Sequence, residues 1–306
     1  MTAVRLEGVN KSFRAHKAVE DLSLVVPRGS IYGFIGPNGS GKTTTLRMIL
    51  HILNADSGSI EVLGEKHQRA ANDRIGYLPE ERGLYRKMTV RRVLAYYSAL
   101  KGMAAGAARK ACDEWLERLD LADWGDKKVE TLSKGMSQKV QFIAAVMTRP
   151  ELLILDEPFS GLDPVNLEVL RGVILELRGD GATVIFSTHD MAKAEEMCDF
   201  VCMIFSGRKV LDGTLDEIKG RYGADTVRLR AEGGLDGIEG VENVRDLGQI
   251  KEVRYSGDSQ RLLEELMRRG RVEHFELTRP SLHDIFIRIA GPEAGEQPDE
   301  SVNRNE

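Results

Sequence analysis

Apolar and polar positions follow two patterns along the chain, one typical of strands and the other typical of helices. Three short apolar runs between residues 4 and 35, the last reading SIYGFIG, are typical of strands. A helix is predicted from Lys42 to Leu53, and apolar residues at three-to-four spacing predict more helix from about Val90 to Leu119. This order indicates a helical insertion between strands.

After Ser137 the pattern alternates between strand and helix. The apolar runs LLILD, ATVIFST and VCMIF predict strands, with helices beginning at Pro164 and Met191 between them. Crossover helices between parallel strands account for this order, so the fold class is α/β. Beyond about Tyr222 the elements become shorter and more polar, which indicates a separate α+β part.

These changes of pattern predict three parts. An α/β domain covers residues 1–222, a small α+β domain covers 223–290, and a tail covers 291–306. The tail reads GPEAGEQPDESVNRNE and has too few apolar residues to offset the entropy lost on folding. We therefore expect the tail to be disordered.

Composition excludes several classes of protein. The 43 basic and 48 acidic residues give a net charge of -5, so no global positive field favours nucleic acid. The N-terminus MTAVRLEGVNKSF lacks the apolar core of a signal peptide, and no apolar run approaches the roughly 18 residues that span a bilayer. We expect a cytoplasmic protein that reaches a membrane only through a partner.

A glycine-rich stretch between a predicted strand and a predicted helix carries the first functional signal. It reads Gly36-Pro37-Asn38-Gly39-Ser40-Gly41-Lys42-Thr43, followed by Thr44. This matches the phosphate-binding loop, whose backbone N–H groups point at a phosphate at the positive end of the following helix. Lys42 would add charge toward the phosphates, and the Thr43 hydroxyl would ligate Mg²⁺. An ordinary glycine-rich turn is the alternative.

The apolar strand LLILD ends in two carboxylates, Asp156 and Glu157. They follow the carboxyl end of a strand, where open parallel sheets bind their ligands. Asp156 would hold Mg²⁺, and Glu157 would accept a proton from the water that attacks the γ-phosphate. A helix-capping pair is the alternative. The phosphate-binding loop and the two carboxylates are shared by kinases, helicases, GTPases and transport ATPases, so they do not decide between these classes.

A third motif narrows the choice. Leu132-Ser133-Lys134-Gly135-Met136-Ser137-Gln138 resembles the signature motif of the ATP-binding cassette (ABC) family, usually written Leu-Ser-Gly-Gly-Gln. Ser160-Gly161-Leu162-Asp163 is similar to the D-loop of that family, and His189 to its switch histidine. Phe13 stands where the family places an aromatic ring against adenine. The resemblance implies a P-loop core with an antiparallel β subdomain and a helical subdomain.

The resemblance also implies partners and roles. Two cassettes, identical or paralogous, would pack head to tail, so that Ser133 and Gly135 of one meet the γ-phosphate held by the other. Asp163 would join the nucleotide contacts, and His189 would hold Glu157 and the water in line. A separately encoded integral membrane permease would carry the cargo, with the ATPase on the inner face of the membrane and no nucleic acid bound.

Two departures from the family pattern point to a branch. Glu80 stands where the family has a glutamine that contacts Mg²⁺, and Lys134 and Met136 replace signature residues. These features resemble ATPase subunits of sodium-export and drug-export type, which also carry a small C-terminal domain, so we expect an exporter. We expect Glu80 to remain a metal ligand, although an ionised carboxylate cannot donate a hydrogen bond.

Two other functions remain as alternatives. A soluble cassette acting on ribosomes or DNA usually has tandem cassettes or a long coiled coil, and neither pattern is present in the sequence. A binding module without turnover would require a damaged site. Lys42, Asp156 and Glu157 all stand, so the sequence favours an active ATPase.

Overall fold

The computed structural model describes residues 1–66, 72–81, 83–222 and 226–291. The chain divides into two compact units, Met1–Gly213 and Thr214–Glu306, which we call the first and second unit. Apart from Gly291, the tail expected to be disordered lies outside the described residues.

The described elements follow in chain order. Those of the first unit are β1 (Thr2–Phe13), β2 (His16–Pro27), β3 (Ile31–Ile35), α1 (Lys42–Ile49), β4 (Ser57–Val62), β5 (Ile75–Leu78), α2 (Val90–Leu100), α3 (Ala105–Arg118), α4 (Lys134–Val146), β6 (Leu152–Asp156), α5 (Pro164–Gly179), β7 (Thr183–Thr188), α6 (Met191–Met197), β8 (Phe200–Phe205) and β9 (Arg208–Thr214). Those of the second unit are α7 (Leu215–Arg221), β10 (Thr226–Ala231), β11 (Val241–Asp246), β12 (Lys251–Tyr255), α8 (Ser259–Arg269), β13 (Val272–Thr278) and α9 (Leu282–Ala290).

The main sheet of the first unit has the strand order β5-β6-β7-β3-β8-β9. The pairs β5–β6, β6–β7, β3–β7 and β3–β8 are parallel. Every residue of β3, β6 and β7 is buried, which explains their continuous apolar runs, since a parallel sheet is covered on both faces. Because these strands are neighbours, the loops that follow them meet at one edge of the sheet.

A second sheet of the first unit is antiparallel, with the order β2-β1-β4. Strands β1 and β2 form a long hairpin in which Phe13 pairs with His16 at the tip. Arg14 turns the chain there with a φ of 54°. The hairpin therefore carries Phe13 at its tip, and this sheet is the antiparallel β subdomain expected from the sequence.

The predicted helices are confirmed, with two differences. Helix α1 ends at Ile49 rather than Leu53, because His51 has a left-handed φ of 50° and the N–H groups of Ile52 and Leu53 both turn back to the Arg47 carbonyl. The helical insertion divides into α2 and α3, with Gly102 at a φ of 75° between them. Within the described ranges, no helix is long and apolar enough to cross a membrane.

The second unit is a four-stranded antiparallel sheet, in the order β11-β12-β10-β13, with helices. Leu262 and Leu266 of α8 are fully buried in its core, together with Val253 of β12. The sequence did not predict α7 or β11. Nearly all of β11 is exposed, so it lacks the apolar alternation by which a strand is recognised.

Candidate functional site

The glycine-rich loop joins β3 to α1, and two of its glycines are required by sterics. Gly36 has a φ of 147°, and a Cβ there would lie 2.1 Å from the Ile204 carbonyl oxygen. Gly41 has a φ of 108°, and a Cβ there would lie 2.4 Å from the Ala18 carbonyl oxygen. Both contacts are with backbone, which cannot swing aside, so any other residue would push the loop open.

Lys42 begins α1 and lies folded inside this loop. Its Nζ donates hydrogen bonds to the carbonyl oxygens of Gly36 (2.8 Å) and Pro37 (3.0 Å). Burial lowers the pKa of Lys42, while the negative charges of Glu157 and Asp156 act in the opposite direction. The loop therefore holds a cation beside its own backbone, next to two carboxylates.

Asp156 ends β6 and is only 1% exposed. Its Oδ1 accepts hydrogen bonds from the hydroxyls of Thr43 (3.2 Å) and Ser187. Its Oδ2 is buried and has no hydrogen-bond partner among the described residues. A buried carboxylate oxygen without a donor is costly, and a hard cation that prefers oxygen ligands would satisfy it. The donor set around Asp156 thus fits a divalent cation.

Glu157 follows Asp156 with a left-handed φ of 49°. Its N–H lies 3.2 Å from the Ser187 carbonyl oxygen and 3.1 Å from the Ser187 hydroxyl. Its Oε1 accepts a hydrogen bond from the His189 N–H (3.0 Å) and lies 2.8 Å from His189 Nδ1. When Glu157 is ionised, this pair places the ring proton on Nδ1. The predicted base and switch histidine are therefore in direct contact.

A pocket of about 480 Å³ brings most of the predicted residues together. It is lined by Phe13, His16, Ala18, Asn38, Gly39, Gly41, Lys42, Thr43, Thr44, Glu80 and Glu157. Gly36, Pro37 and Ser40 belong to the loop but do not line the pocket, and Asp156 lies behind Thr43. Phe13 is exposed at the pocket, and the Lys11 Nζ lies 5.7 Å from the centre of its ring.

Sequence reasoning missed three residues near this site. Ser187 donates to Asp156, and β6 and β7 place the two in register. A serine directly after the apolar run Val184–Ile185–Phe186 was the available signal. His16 and Ala18 line the pocket because His16 pairs with Phe13 across the hairpin. The positions of His16 and Ala18 at the pocket become evident only from the register of the hairpin.

Glu80 lines the same pocket and has an unusual titration. Desolvation by the surrounding protein raises the pKa of Glu80, and the negative charges of Asp156 and Glu157 raise it further, while Lys42 opposes them. Three carboxylates therefore crowd around one buried ammonium group. A polyphosphate entering this pocket would require additional positive charge.

The predicted nucleotide contacts Ser133, Gly135 and Asp163 do not line this pocket. Ser133 is the N-cap of α4 and accepts a hydrogen bond from the Met136 N–H (3.2 Å). Asp163 is the N-cap of α5, and bonding to the Asn166 N–H lowers its pKa. Within one chain, Ser133 and Asp163 cap helices and Gly135 lies in the first turn of α4, so none of the three completes the pocket.

Two family models match the chain. The model described as "ABC transporter" matches residues 19–160, a range that includes the glycine-rich loop, Glu80, the signature motif and the Asp156–Glu157 pair. The model described as "ATP-binding protein DrrA1-3-like, C-terminal domain" matches residues 213–290. The first match lies within the first unit, and the second covers most of the second unit.

Known proteins similar to the chain cover nearly all of it. The uncharacterized ABC transporter ATP-binding protein YhaQ of Bacillus subtilis is 44% identical over 94% of this chain and 98% of its own length. The Nod factor export ATP-binding protein I of Bradyrhizobium diazoefficiens is 35% identical over 95% and 97%. A solved structure of an ATP-binding subunit of an ABC transporter superposes with a TM-score of 0.68 at 30% identity, over 72% of this chain and 93% of that one.

Proposed function

Because the chain belongs to the ATP-binding subunits of ABC transporters, an ATP-hydrolysing family, we propose that two copies close on ATP and drive export through a separate membrane permease. One observation carries the proposal. The pocket contains the phosphate loop, Phe13 and Glu157, while Ser133, Gly135 and Asp163 stand outside it. Half of the nucleotide contacts are thus assembled in one chain, and the other half are left to face a second copy.

The assembled half matches the parts of ATP. The exposed Phe13 ring offers a stacking surface for adenine. The loop residues that line the pocket, Asn38, Gly39, Gly41, Lys42, Thr43 and Thr44, would offer backbone N–H groups and the Lys42 ammonium to the phosphates. These contacts bind ATP by its base and by its polyphosphate chain.

Mg²⁺ is the cation that we propose for the oxygen ligands beside the loop. The Thr43 hydroxyl, Asp156 and the Glu80 carboxylate would hold it, and the unpartnered Asp156 Oδ2 supports this assignment. Mg²⁺ is usually held by one or two carboxylates together with substrate phosphates and waters. When bound, it neutralises charge on the phosphates.

Hydrolysis is assigned to the Glu157–His189 pair. Glu157 lines the pocket, so its carboxylate can accept the proton of a water that attacks the γ-phosphate. His189 bonds to Glu157 Oε1 through both its backbone N–H and its ring, which fixes the direction of that carboxylate. His189 Nε2 remains for the γ-phosphate.

Closure of the dimer is assigned to the two helix N-termini. The first N–H groups of a helix have no partner within the helix, and the helix dipole makes this end positive. Ser133 and Gly135 lie at the N-terminus of α4, and Asp163 at that of α5. A second copy would present these groups to the γ-phosphate.

An aromatic surface after Glu80 supports contact with the permease. The ring centres of Tyr85, Tyr96 and Tyr97 lie 5.5 to 6.4 Å apart, and Leu100 is exposed on the same helix as two of them. A cluster of tyrosines is typical of interface hot spots. Export is supported by the similarity to the Nod factor export protein. The ATPase would then sit on the inner face of the membrane.

The test is to capture the Glu157→Gln protein with ATP from gently solubilised native membranes. We expect an ATP-dependent dimer in gel filtration and a co-purifying polytopic membrane protein. Lys42→Ala in the same background removes a phosphate contact and is expected to give neither. A Glu157→Gln protein that stays monomeric with saturating ATP would exclude the dimer, and recovery of ribosomes or DNA-bound factors would favour a soluble cassette.

A further inference from the structure

A buried side chain links the signature helix to the proposed base. Gln138 lies on α4, five residues after Ser133, and is only 7% exposed. Its Nε2 donates a 2.6 Å hydrogen bond to the carbonyl oxygen of Pro158. Pro158 is itself buried and directly follows Glu157. The bond therefore joins the helix that carries the signature motif to the peptide that follows the base.

The backbone around Glu157 requires support from both sides. Its left-handed φ of 49° is disfavoured for a side chain other than glycine and persists only where the surroundings impose it. On the N-terminal side, the Glu157 N–H is held by Ser187. On the C-terminal side, Gln138 holds the Pro158 carbonyl, and Phe159 packs edge-on against Phe186 at a centroid distance of 6.0 Å.

Further contacts follow the same two segments. A Cβ added to Gly161 would lie 2.6 Å from Lys134 Cε, so the Lys134 side chain rests on the loop. A Cβ added to Gly135 would lie 3.8 Å from Leu162 Cδ2. The first turns of α4 thus follow the loop from Pro158 to Leu162. Of these contacts between α4 and the loop, the Gln138 bond is the one nearest to Glu157.

We propose that Gln138 is a positioning residue for hydrolysis, which holds the Glu157 carboxylate in line by fixing the Pro158 peptide to α4. This inference rests on the proposed role of Glu157 as the base. It adds a consequence for the dimer. The helix that meets the γ-phosphate of one site through Ser133 also sets the direction of the base in the other site.

The test removes the N–H donor while keeping the length of the side chain. Gln138→Met is expected to lower kcat about 10- to 100-fold, since a small displacement of a catalytic group costs that much. The KM for ATP should change less than about twofold, because the phosphate loop is untouched. Gln138→Leu, which also removes the donor, gives a second variant with the same expected loss, should the Met variant fold poorly.

A double-mutant comparison separates positioning from general damage. In the Glu157→Gln background, single-turnover hydrolysis should fall little further on Gln138→Met, because the group through which Gln138 acts is already gone. Gln141→Met is the matched control. Gln141 lies on the same helix and is equally buried. Its Nε2 donates to the Glu81 carbonyl oxygen (3.4 Å) and not to the loop that follows Glu157. Any loss it causes should carry over in full to that background.

The outcomes distinguish this inference from the proposed function. Full turnover in Glu157→Gln alone would refute the assignment of the base. Slow Glu157→Gln together with normal kcat in both Gln138 variants would refute the positioning role alone. The positioning role also fails if the Gln138→Met loss carries over in full to the Glu157→Gln background, or if Gln141→Met behaves in the same non-additive way.

Discussion

The two units bury different kinds of side chain. Among the described residues, the first unit buries Lys42, Asp156, Gln138, Lys139 and other polar groups, while the second buries Thr226 and otherwise apolar side chains. Burial of polar and charged groups is unfavourable unless they are bonded or paired. The first unit therefore buries groups that are unfavourable to bury, and two of them, Lys42 and Asp156, belong to the candidate site.

The second unit keeps its charges on the surface. Arg230 pairs with Glu273 at 3.7 Å, and Arg254 pairs with Glu242 at 3.0 Å. Exposed pairs of this kind contribute little to stability, so the core holds the second unit together. The comparison shows that the groups proposed for hydrolysis lie in the first unit, whereas the charged pairs of the second unit lie on its surface.

The largest expected effect tests this division with two matched carboxylates. The side chains of Glu157 and Glu252 are both 11% exposed, and each has a basic partner, His189 and Arg228. Glu157→Gln should lower steady-state phosphate release by about 100-fold or more, since it removes the proton acceptor. Glu252→Gln should leave the rate within about twofold. Equal losses in the two variants would break the comparison.

A smaller effect is expected from the two cores. Leu46 of α1 and Leu266 of α8 are both fully buried. Each substitution by alanine should cost its own unit about 2 to 5 kcal/mol of stability, measured by chemical unfolding. ATP hydrolysis per folded chain should fall for Leu46→Ala, because α1 carries Lys42 at its first turn. A tenfold fall of kcat in Leu266→Ala would show instead that the second core supports the site.

Much of the fold and the assembled half of the site could be predicted from sequence. The strands β3, β6 and β7 are buried throughout, so their apolar runs are unambiguous. The phosphate loop is one contiguous segment whose glycines and Lys42 fix its geometry locally. Asp156 ends β6 and Glu157 follows it, and the parallel neighbouring strands bring both to the loop.

The contacts that could not be predicted depend on strand register and packing, and the roles that stay untested depend on a second copy of the chain. The Ser187–Asp156 bond requires β6 and β7 to pair in one register, and the Gln138–Pro158 bond requires a helix and a loop far apart in sequence to pack together. No local pattern encodes either contact. The roles of Ser133, Gly135 and Asp163 stay predictions, because a single chain offers them no nucleotide.

The smallest expected effect is a difference in pH dependence between two exposed carboxylates. The folded protein raises the pKa of Glu80, mainly by desolvation, and lowers the pKa of Glu217 through the Thr214 backbone N–H at the start of α7. A raised carboxyl pKa means that the folded state binds the proton more tightly. Stability from Glu80 is therefore lost as pH rises from the ordinary carboxyl range through the raised pKa. A lowered pKa has the opposite sign, so the Glu217 contribution is present at neutral pH and is lost as pH falls.

Thermal unfolding of Glu80→Gln and Glu217→Gln without nucleotide, at about pH 8 and about pH 5, tests both signs. At the higher pH, Glu80→Gln should stabilise the first unit by less than about 1 kcal/mol, because exposure screens the charge. Glu217→Gln should destabilise the second unit at the same pH. The Glu80 difference should shrink at the lower pH, where that carboxyl approaches protonation, whereas the Glu217 difference should persist there, because its lowered pKa keeps Glu217 ionised. If Glu80→Gln were destabilising at pH 8, repulsion among the carboxylates around Lys42 would not destabilise the empty pocket. That result would contradict the inference that a polyphosphate needs the additional positive charge of a metal ion to bind there.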